Sequence, residues 1–295
     1  PASCSRASSG SVTASRRRMS IEKNTVIAPT FEEWRRSKEA LTRLECDLLL
    51  SHVTDMSRTQ IVAHSDQRLN CAQLKQLEAL GHALSEGTPL AYLLGEKEFF
   101  GLSFNVNPAV LVPRPETELL VELALARIDE NTRLLDAGTG SGAVAIAIAH
   151  AQPNTQIDAC DKSAQALEVA RANARKHRVQ VHFYQSDWFA QFKGHKWHMI
   201  VSNPPYIAAG DSHLAALAAE PQIALVAENR GLAALAHIID QSPNFLQNAG
   251  WLLLEHGHDQ ASSVRDLMTN RGFAEVKSMI DLGNIERVTL GQWDG

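Results

Sequence analysis

Four consecutive residues, Asn203-Pro204-Pro205-Tyr206, combine an amide side chain, two rigid imino acids and an aromatic hydroxyl. Such a set suits a planar NH2 group. The Asn203 side-chain carbonyl can accept one N–H, and the Pro204 backbone carbonyl can accept the other. The two prolines hold the backbone stiffly, so both acceptors are in place before a ligand arrives. Tyr206 can lie against the face of the planar group. A nitrogen held in this way is aimed at an electrophile, and positioning is the main catalytic device on offer.

A second set, Asp136-Ala137-Gly138-Thr139-Gly140-Ser141-Gly142, is a glycine loop. Its glycines permit a tight turn and close approach of a ligand to the backbone. Gly138, Gly140 and Ala143 satisfy the dinucleotide fingerprint. Asp161 follows about 20 residues on, where an acid can take ribose hydroxyls. Loop and acid fit both NAD and S-adenosylmethionine. Asp136 tilts the choice, because a carboxylate there would repel a pyrophosphate but suits the ammonium of a methionine moiety, directly or through water. An NAD reading also leaves Asn203 to Tyr206 without a task.

These residues need elements that bring them together. From residue 133 the sequence alternates strands (133–137, 156–160, 179–184, 198–202, 251–255) with helices (141–151, 164–177, 259–270). Two closing strands, 273–280 and 287–290, share so short a link that they must be antiparallel. Repeated β-α units require a mostly parallel sheet with helices on both faces. In such a sheet a ligand lies beyond the carboxyl ends of the strands. The glycine loop, Asp161 and Asn203 follow the first, second and fourth strands, so all open on one crevice.

Upstream, Thr30 and Glu33 form a capping box. Phe31, Trp34, Leu41, Leu44 and Leu48 then keep helical period as one stripe. Helices near 57–64 and over 71–84 follow, the second carrying Leu74, Leu77, Leu80, Ala83 and Leu84. We read 19–87 as a small helical domain, 88–112 as a β-hairpin connector and 113–295 as the α/β body. After Pro113-Arg114-Pro115, residues 116–128 return to helical period. Residues 1–18 hold four arginines and no acid. They read as a disordered extension, with Met19 the expected start.

The chain of 295 residues has 28 Lys+Arg against 33 Asp+Glu, a formal charge of -5. The acid-free start contributes +4 of it, leaving about -9 for the rest. Direct nucleic-acid binding is therefore not expected. No apolar run nears the roughly 20 residues of a membrane span. The cysteines, Cys4, Cys46, Cys71 and Cys160, have neither C-x-x-C nor zinc-ligand spacing. They read as reduced thiols of a cytoplasmic protein, with Cys46, Cys71 and Cys160 small buried residues and no metal site.

The two motifs with Asp161 resemble the class I S-adenosylmethionine methyltransferases that act on exocyclic or amide nitrogens. Further stretches narrow the likeness: Pro89-Leu90-Ala91-Tyr92, Gly95, Glu98-Phe99, Val112-Pro113-Arg114-Pro115-Glu116-Thr117-Glu118, Glu220-Pro221, Ala224-Leu225, Gly231-Leu232, Glu255-His256-Gly257 and Arg287-Val288-Thr289-Leu290-Gly291. Together they resemble the release-factor glutamine N5-methyltransferases. That resemblance implies a Rossmann-like sheet, mostly parallel with an antiparallel last strand, and a helical front. It implies S-adenosyl-L-methionine as cofactor, with Gly138, Thr139, Gly140, Ser141 and Gly142 lining its methionine and ribose. Asp136 would face the ammonium, Asp161 the ribose hydroxyls, and Asp187 and Trp188 the adenine. Asn203, touching both ligands, would hold the substrate glutamine amide with Pro204, Pro205 and Tyr206. Arg114, Thr117 and Glu118 would shape the crevice behind the cofactor or brace the hairpin. The implied protein substrate is a class-1 peptide chain release factor presenting the glutamine of its Gly-Gly-Gln loop, docked with help from the helical front. A ribosomal-protein glutamine methyltransferase ranks second, behind on the P-R-P-x-T-E stretch. A DNA adenine N6-methyltransferase shares the N-P-P-Y logic but normally carries a sizeable recognition region with a basic groove, which this acidic chain lacks.

Overall fold

The computed structural model describes residues 28–129 and 131–295. The extension read over 1–18 and the first residues of the helical front lie outside the described residues. Thr30 caps α1 (Phe31–Arg36), and Glu33 closes the capping box. The stripe expected to run on to Leu48 is interrupted. Thr42 and Glu45 form a second capping box, and α2 (Arg43–Thr54) starts there in a new phase. Leu44 is consequently half exposed, while Cys46, Leu49 and Leu50 are buried. Two more boxes, Ser57 with Gln60 and Asn70 with Gln73, open α3 (Arg58–Ala63) and α4 (Cys71–Ser85). Each supplies partners to N–H groups the first turn leaves orphaned, typically worth about 1 kcal/mol. The four helices close on Phe31, Trp34, Cys46, Leu49, Leu50, Ile61 and Leu77. Cys71, expected to be buried, is exposed. It is the first residue of α4 and precedes the face that reaches the core.

The connector begins with a helix the hairpin pattern did not predict, α5 (Leu90–Leu94). Leu90 and Leu94 join the front core, while Ala91 and Tyr92 pack on Val106 and Val110 of the connector and on Ala166 and Val169 of the body. Five residues are too few for a helical period to be read. The expected hairpin follows as β1 (Glu96–Phe99) and β2 (Leu102–Asn105), with Phe99 opposite Leu102. Phe100 and Gly101 make its turn at φ 52° and 72°, the double positive φ of a tight type I′ connection.

The body follows the alternation. A 3-10 turn, Pro115–Thr117, runs into α6 (Glu118–Leu125). Then come β3 (Arg133–Ala137), α7 (Ala143–Ala151), β4 (Gln156–Asp161), α8 (Ala164–His177), β5 (His182–Gln185) and β6 (Trp197–Ser202). Two short strands, β7 (Ile207–Ala208) and β8 (Val226–Ala227), pair with each other before α9 (Ala233–Gln241). The chain closes with β9 (Leu246–Glu255), α10 (Ala261–Arg271), β10 (Ala274–Ile280) and β11 (Glu286–Trp293). The strand expected from 179 starts at His182, because Arg178 at φ 56° caps α8 and Val179 N–H is spent on Ala174 C=O.

The seven strands order as β10-β11-β9-β6-β3-β4-β5. The five from β9 to β5 are parallel, and β11 runs antiparallel to both neighbours. Alternation sorts the core. Leu134, Met199, Val201 and Leu253 face α6 and α7, while Leu135, Ile200, Leu252 and Leu254 face α9 and α10. From β3 the chain steps to β4 and β5 on one side, then crosses to β6 on the other. The adjacent carboxyl ends of β3 and β6 are therefore the switch point, where open sheets of this kind part and leave a crevice. Among the described residues, no helix is long and apolar enough to cross a membrane.

Candidate functional site

A cleft of ≈ 430 Å³ lies across the carboxyl ends of β3, β4 and β6. That is within the range of small-molecule sites. Gly138, Thr139, Gly140 and Ser141 form one wall, Asp136 and Asp161 reach into it, and Asp187 and Trp188 border it. The loop is pinned where β4 ends: the Gly138 and Thr139 N–H groups both donate to Cys160 C=O, at 2.9 Å each. Gly138 has φ +81°, and a Cβ there would meet the Trp188 ring at 3.3 Å. Bare backbone thus lies directly against an aromatic face. Gly142 does not line the cleft. A Cβ on it would come within 2.7 Å of Ile146 and 3.2 Å of Ala170, so its small size serves helix packing. The helix expected from 141 begins at Ala143 because Ser141 and Gly142 complete the loop.

Both carboxylates are anchored from one side. Asp136 Oδ2 accepts from Thr139 Oγ1 at 2.6 Å and from Ala145 N–H at 3.3 Å. Burial pushes the Asp136 carboxyl up to about 6, those two hydrogen bonds oppose the rise, and the Asp161 charge adds to it. Asp161 accepts from Gly140 N–H at 2.9 Å on one oxygen and from Ser163 N–H at 2.8 Å on the other. Burial raises its pKa as well, against those backbone donors. Each carboxylate oxygen has further lone pairs for a ligand's donors. Asp187 is paired with Lys162 at 2.9 Å near the surface. This donor set fits a nucleoside with a cationic tail: carboxylates for ribose and ammonium, an aromatic and apolar wall for a base, and, among the described residues, no cluster of unpaired cations for a pyrophosphate.

Asn203 and Pro205 line the same cleft; Pro204 and Tyr206 do not. Asn203 Nδ2 donates to Thr117 Oγ1 at 3.1 Å. The Thr117 hydroxyl lies near the Glu255 carboxyl and favours its ionised form, while its oxygen accepts from the amide. The Asn203 carbonyl oxygen is then the end left for a ligand. Tyr206 turns to Glu255, donating its hydroxyl to Oε1 at 3.2 Å, and its backbone carbonyl accepts from Gln260 Nε2 at 3.0 Å. Burial pushes Glu255 up to about 7.

The segment after Pro113 behaves in three ways. Thr117 orients Asn203. Glu118 accepts from Phe100 N–H at 2.9 Å and so braces the hairpin. Arg114 lines the cleft and pairs with Glu220, whose other oxygen accepts from Val112 N–H at 3.0 Å. Sequence reasoning did not assign Glu255, Gln260 or the wall built by Ala233, Ala234 and His237 of α9. Glu255 carried one readable signal, an acid at the end of an otherwise apolar strand.

Known proteins resemble this chain over most of its length. Residues 115–276 match the family model described as methyltransferase small domain, and residues 34–95 match that described as PrmC N-terminal domain. A release factor glutamine methyltransferase of Escherichia coli (strain K12) is 43% identical over 275 residues, spanning 89% of this chain and 99% of that protein. One from Coxiella burnetii is 44% identical over 253 residues, spanning 85% and 91%. Among solved structures, a methyltransferase from Pyrococcus furiosus superposes with a TM-score of 0.52 at 17% identity, covering 68% of this chain and 92% of that one, a likeness of fold. Identity at that level, held across both the helical front and the sheet, makes the chain a member of the release factor glutamine methyltransferase family.

Proposed function

We propose that this protein transfers a methyl group from S-adenosylmethionine to the side-chain amide nitrogen of the glutamine in the Gly-Gly-Gln loop of a class-1 peptide chain release factor. The observation that carries this reading is the Asn203 amide. Its NH2 is committed to Thr117, and its carbonyl oxygen is left at a cleft shared with the glycine loop. An amide nitrogen is a weak nucleophile because its lone pair is delocalised. The Asn203 and Pro204 carbonyls, accepting its two hydrogens, would raise its electron density and fix its direction. When bound, S-adenosylmethionine supplies a methyl on a sulfonium, a strong electrophile with a neutral leaving group. Asp161 would take the ribose hydroxyls, Trp188 would border the adenine, and Asp136 would face the ammonium. A release-factor substrate would place the reaction in translation termination and in the cytoplasm.

The test is label transfer from S-adenosylmethionine to a release factor, its loop Gln→Ala variant, a ribosomal-protein substrate and duplex DNA. Label is expected on the intact release factor alone. Label on DNA, or equal label on the loop variant, overturns the proposal, and preference for the ribosomal protein reassigns the substrate.

Two binding results follow from the carboxylates. Asp161→Ala is expected to weaken S-adenosylmethionine binding by about 10²-fold, since charged hydrogen bonds contribute about 1.5–3 kcal/mol. Unchanged affinity by calorimetry would remove Asp161 from the ribose role. Asp136 attracts an ammonium only when ionised, and its pKa in the free protein is about 6. Affinity should therefore be flat above pH 7 and fall about tenfold per unit well below pH 6. Asp136→Asn should bind weakly at every pH. A variant that keeps the wild-type slope would show that another group titrates.

A further inference from the structure

We propose that Glu255 is a positioning residue for the methyl acceptor, acting through Tyr206 and through the Thr117–Asn203 hydrogen bond. The inference rests on the proposed function and adds a group that never touches either ligand. Glu255 ends β9, is 1% exposed and does not line the cleft. One of its oxygens accepts the Tyr206 hydroxyl. The other is buried without a hydrogen-bond partner among the described residues. The Thr117 hydroxyl lies beside the same carboxyl and accepts from Asn203 Nδ2. A single buried group thus reaches both ends of the Asn203–Tyr206 segment.

Burial of an incompletely paired carboxyl is costly, and an apolar side chain would fill the end of β9 at less cost. What the carboxyl adds is direction. As an acceptor it draws the Tyr206 hydroxyl inward, which sets the ring that follows Pro204 and Pro205. Its charge also faces the nearby Thr117 hydroxyl, whose oxygen accepts the Asn203 NH2 and so turns the Asn203 carbonyl toward the acceptor. Its charged and titratable surroundings come from each packed element. Arg287 at the start of β11 lowers its pKa, Glu116 in the 3-10 turn raises it, and Tyr206 and Thr117 stabilise the ionised form. The adjoining His256 is turned to Thr289 and the Gly257 carbonyl. Burial dominates, and the carboxyl titrates at about 7. The ionised form accepts from the Tyr206 hydroxyl and attracts the nearby Thr117 hydroxyl. The protonated form competes with them, so turnover should rise as pH passes through 7.

The experiment compares wild type, Glu255→Gln, Tyr206→Phe and the double variant on a release factor, with S-adenosylmethionine affinity measured separately. Glu255→Gln is expected to keep cofactor affinity within about twofold, lower kcat about tenfold, and abolish the rise of kcat through pH 7. Tyr206→Phe removes a hydrogen bond to the ionised carboxyl, so its rise should move to higher pH. The double variant should be about as slow as the slower single variant, because the two changes remove one shared contact. Wild-type kcat and pH profile in folded Glu255→Gln would overturn the inference. If that variant does not fold, an unmoved profile in Tyr206→Phe overturns it. Wild-type protein inactive on the release factor would instead sink the proposed function.

Discussion

Asn203→Ala is expected to lower kcat for methyl transfer by roughly 10²–10³-fold, about 3–4 kcal/mol of transition-state stabilisation, with S-adenosylmethionine affinity held within about threefold. The size follows from what the side chain does. In the proposed function its carbonyl oxygen would be the side-chain half of a two-acceptor cradle, with the Pro204 backbone carbonyl as the other half. An acceptor nitrogen held by one hydrogen can swing about that bond, and reaction through a narrow in-line approach is sensitive to such freedom. Cofactor affinity should survive because the glycine loop, Asp136 and Asp161 stand on β3 and β4, not on the loop after β6. Thr117→Val separates orientation from chemistry. It removes the partner of Asn203 Nδ2 at 3.1 Å but leaves the Asn203 carbonyl in place. A smaller loss of about tenfold in kcat is expected there. Steady-state kinetics beside calorimetry decide the case. Full turnover in Asn203→Ala would sink the cradle, and a parallel loss of cofactor affinity would make Asn203 a binding residue instead.

Much of this arrangement was readable in the sequence, and the exceptions share a cause. Leu134 and Leu135, Met199 and Ile200, and Leu252 and Leu253 announce strands buried on both faces by unbroken apolar runs. Their order with the helices fixes which ends meet, so the meeting of the glycine loop, Asp161 and Asn203 required no coordinates. Short elements escaped. α5 contributes one turn to two different cores, and no periodicity can show in five residues. The split between α1 and α2 was written in Thr42 and Glu45, but a stripe running from Phe31 through Leu48 masked the second capping box. The roles of Glu255 and Gln260 were illegible for another reason. Each acts on Tyr206, from 49 and 54 residues away, through contacts that exist only once β6 and β9 lie side by side. Gly142 shows the converse error: its place in the loop read as ligand contact, whereas its neighbours are Ile146 and Ala170.

Gly231→Ala should be nearly as damaging as loss of Asn203, although Gly231 neither lines the cleft nor carries a side chain. Asn229, Arg230 and Gly231 all have positive φ, at 54°, 55° and 83°, and this knot is tied by the Gly231 and Ala233 N–H groups donating to Glu228 C=O at 3.1 Å each. The knot presses backbone against backbone. A Cβ on Gly231 would stand 2.0 Å from the Tyr206 carbonyl oxygen, 2.8 Å from its carbon and 2.7 Å from Gln260 Nε2. Gln260 Nε2 ends a flexible side chain, but the two Tyr206 atoms are backbone and cannot yield in that way. The Tyr206 carbonyl must move, and the Gln260 hydrogen bond that holds it must break. A shift of about 1 Å in a positioning element can cost on the order of 10²-fold in rate. Left-handed backbone at alanine adds roughly 1–2 kcal/mol. We expect kcat to fall about 10²-fold and the fold to lose roughly 2–4 kcal/mol, read by thermal or denaturant unfolding. Gly210→Ala separates the two causes. Gly210 has φ +88°, but a Cβ there would meet nothing within 4 Å. It should carry the backbone strain alone, with kcat near wild type. Equal losses in the two variants would mean that strain in the loop after Tyr206 governs activity, and that close approach at Gly231 does not. A loss confined to Gly231→Ala would locate catalytic positioning in the packing of one backbone on another, at a distance from every atom that reacts.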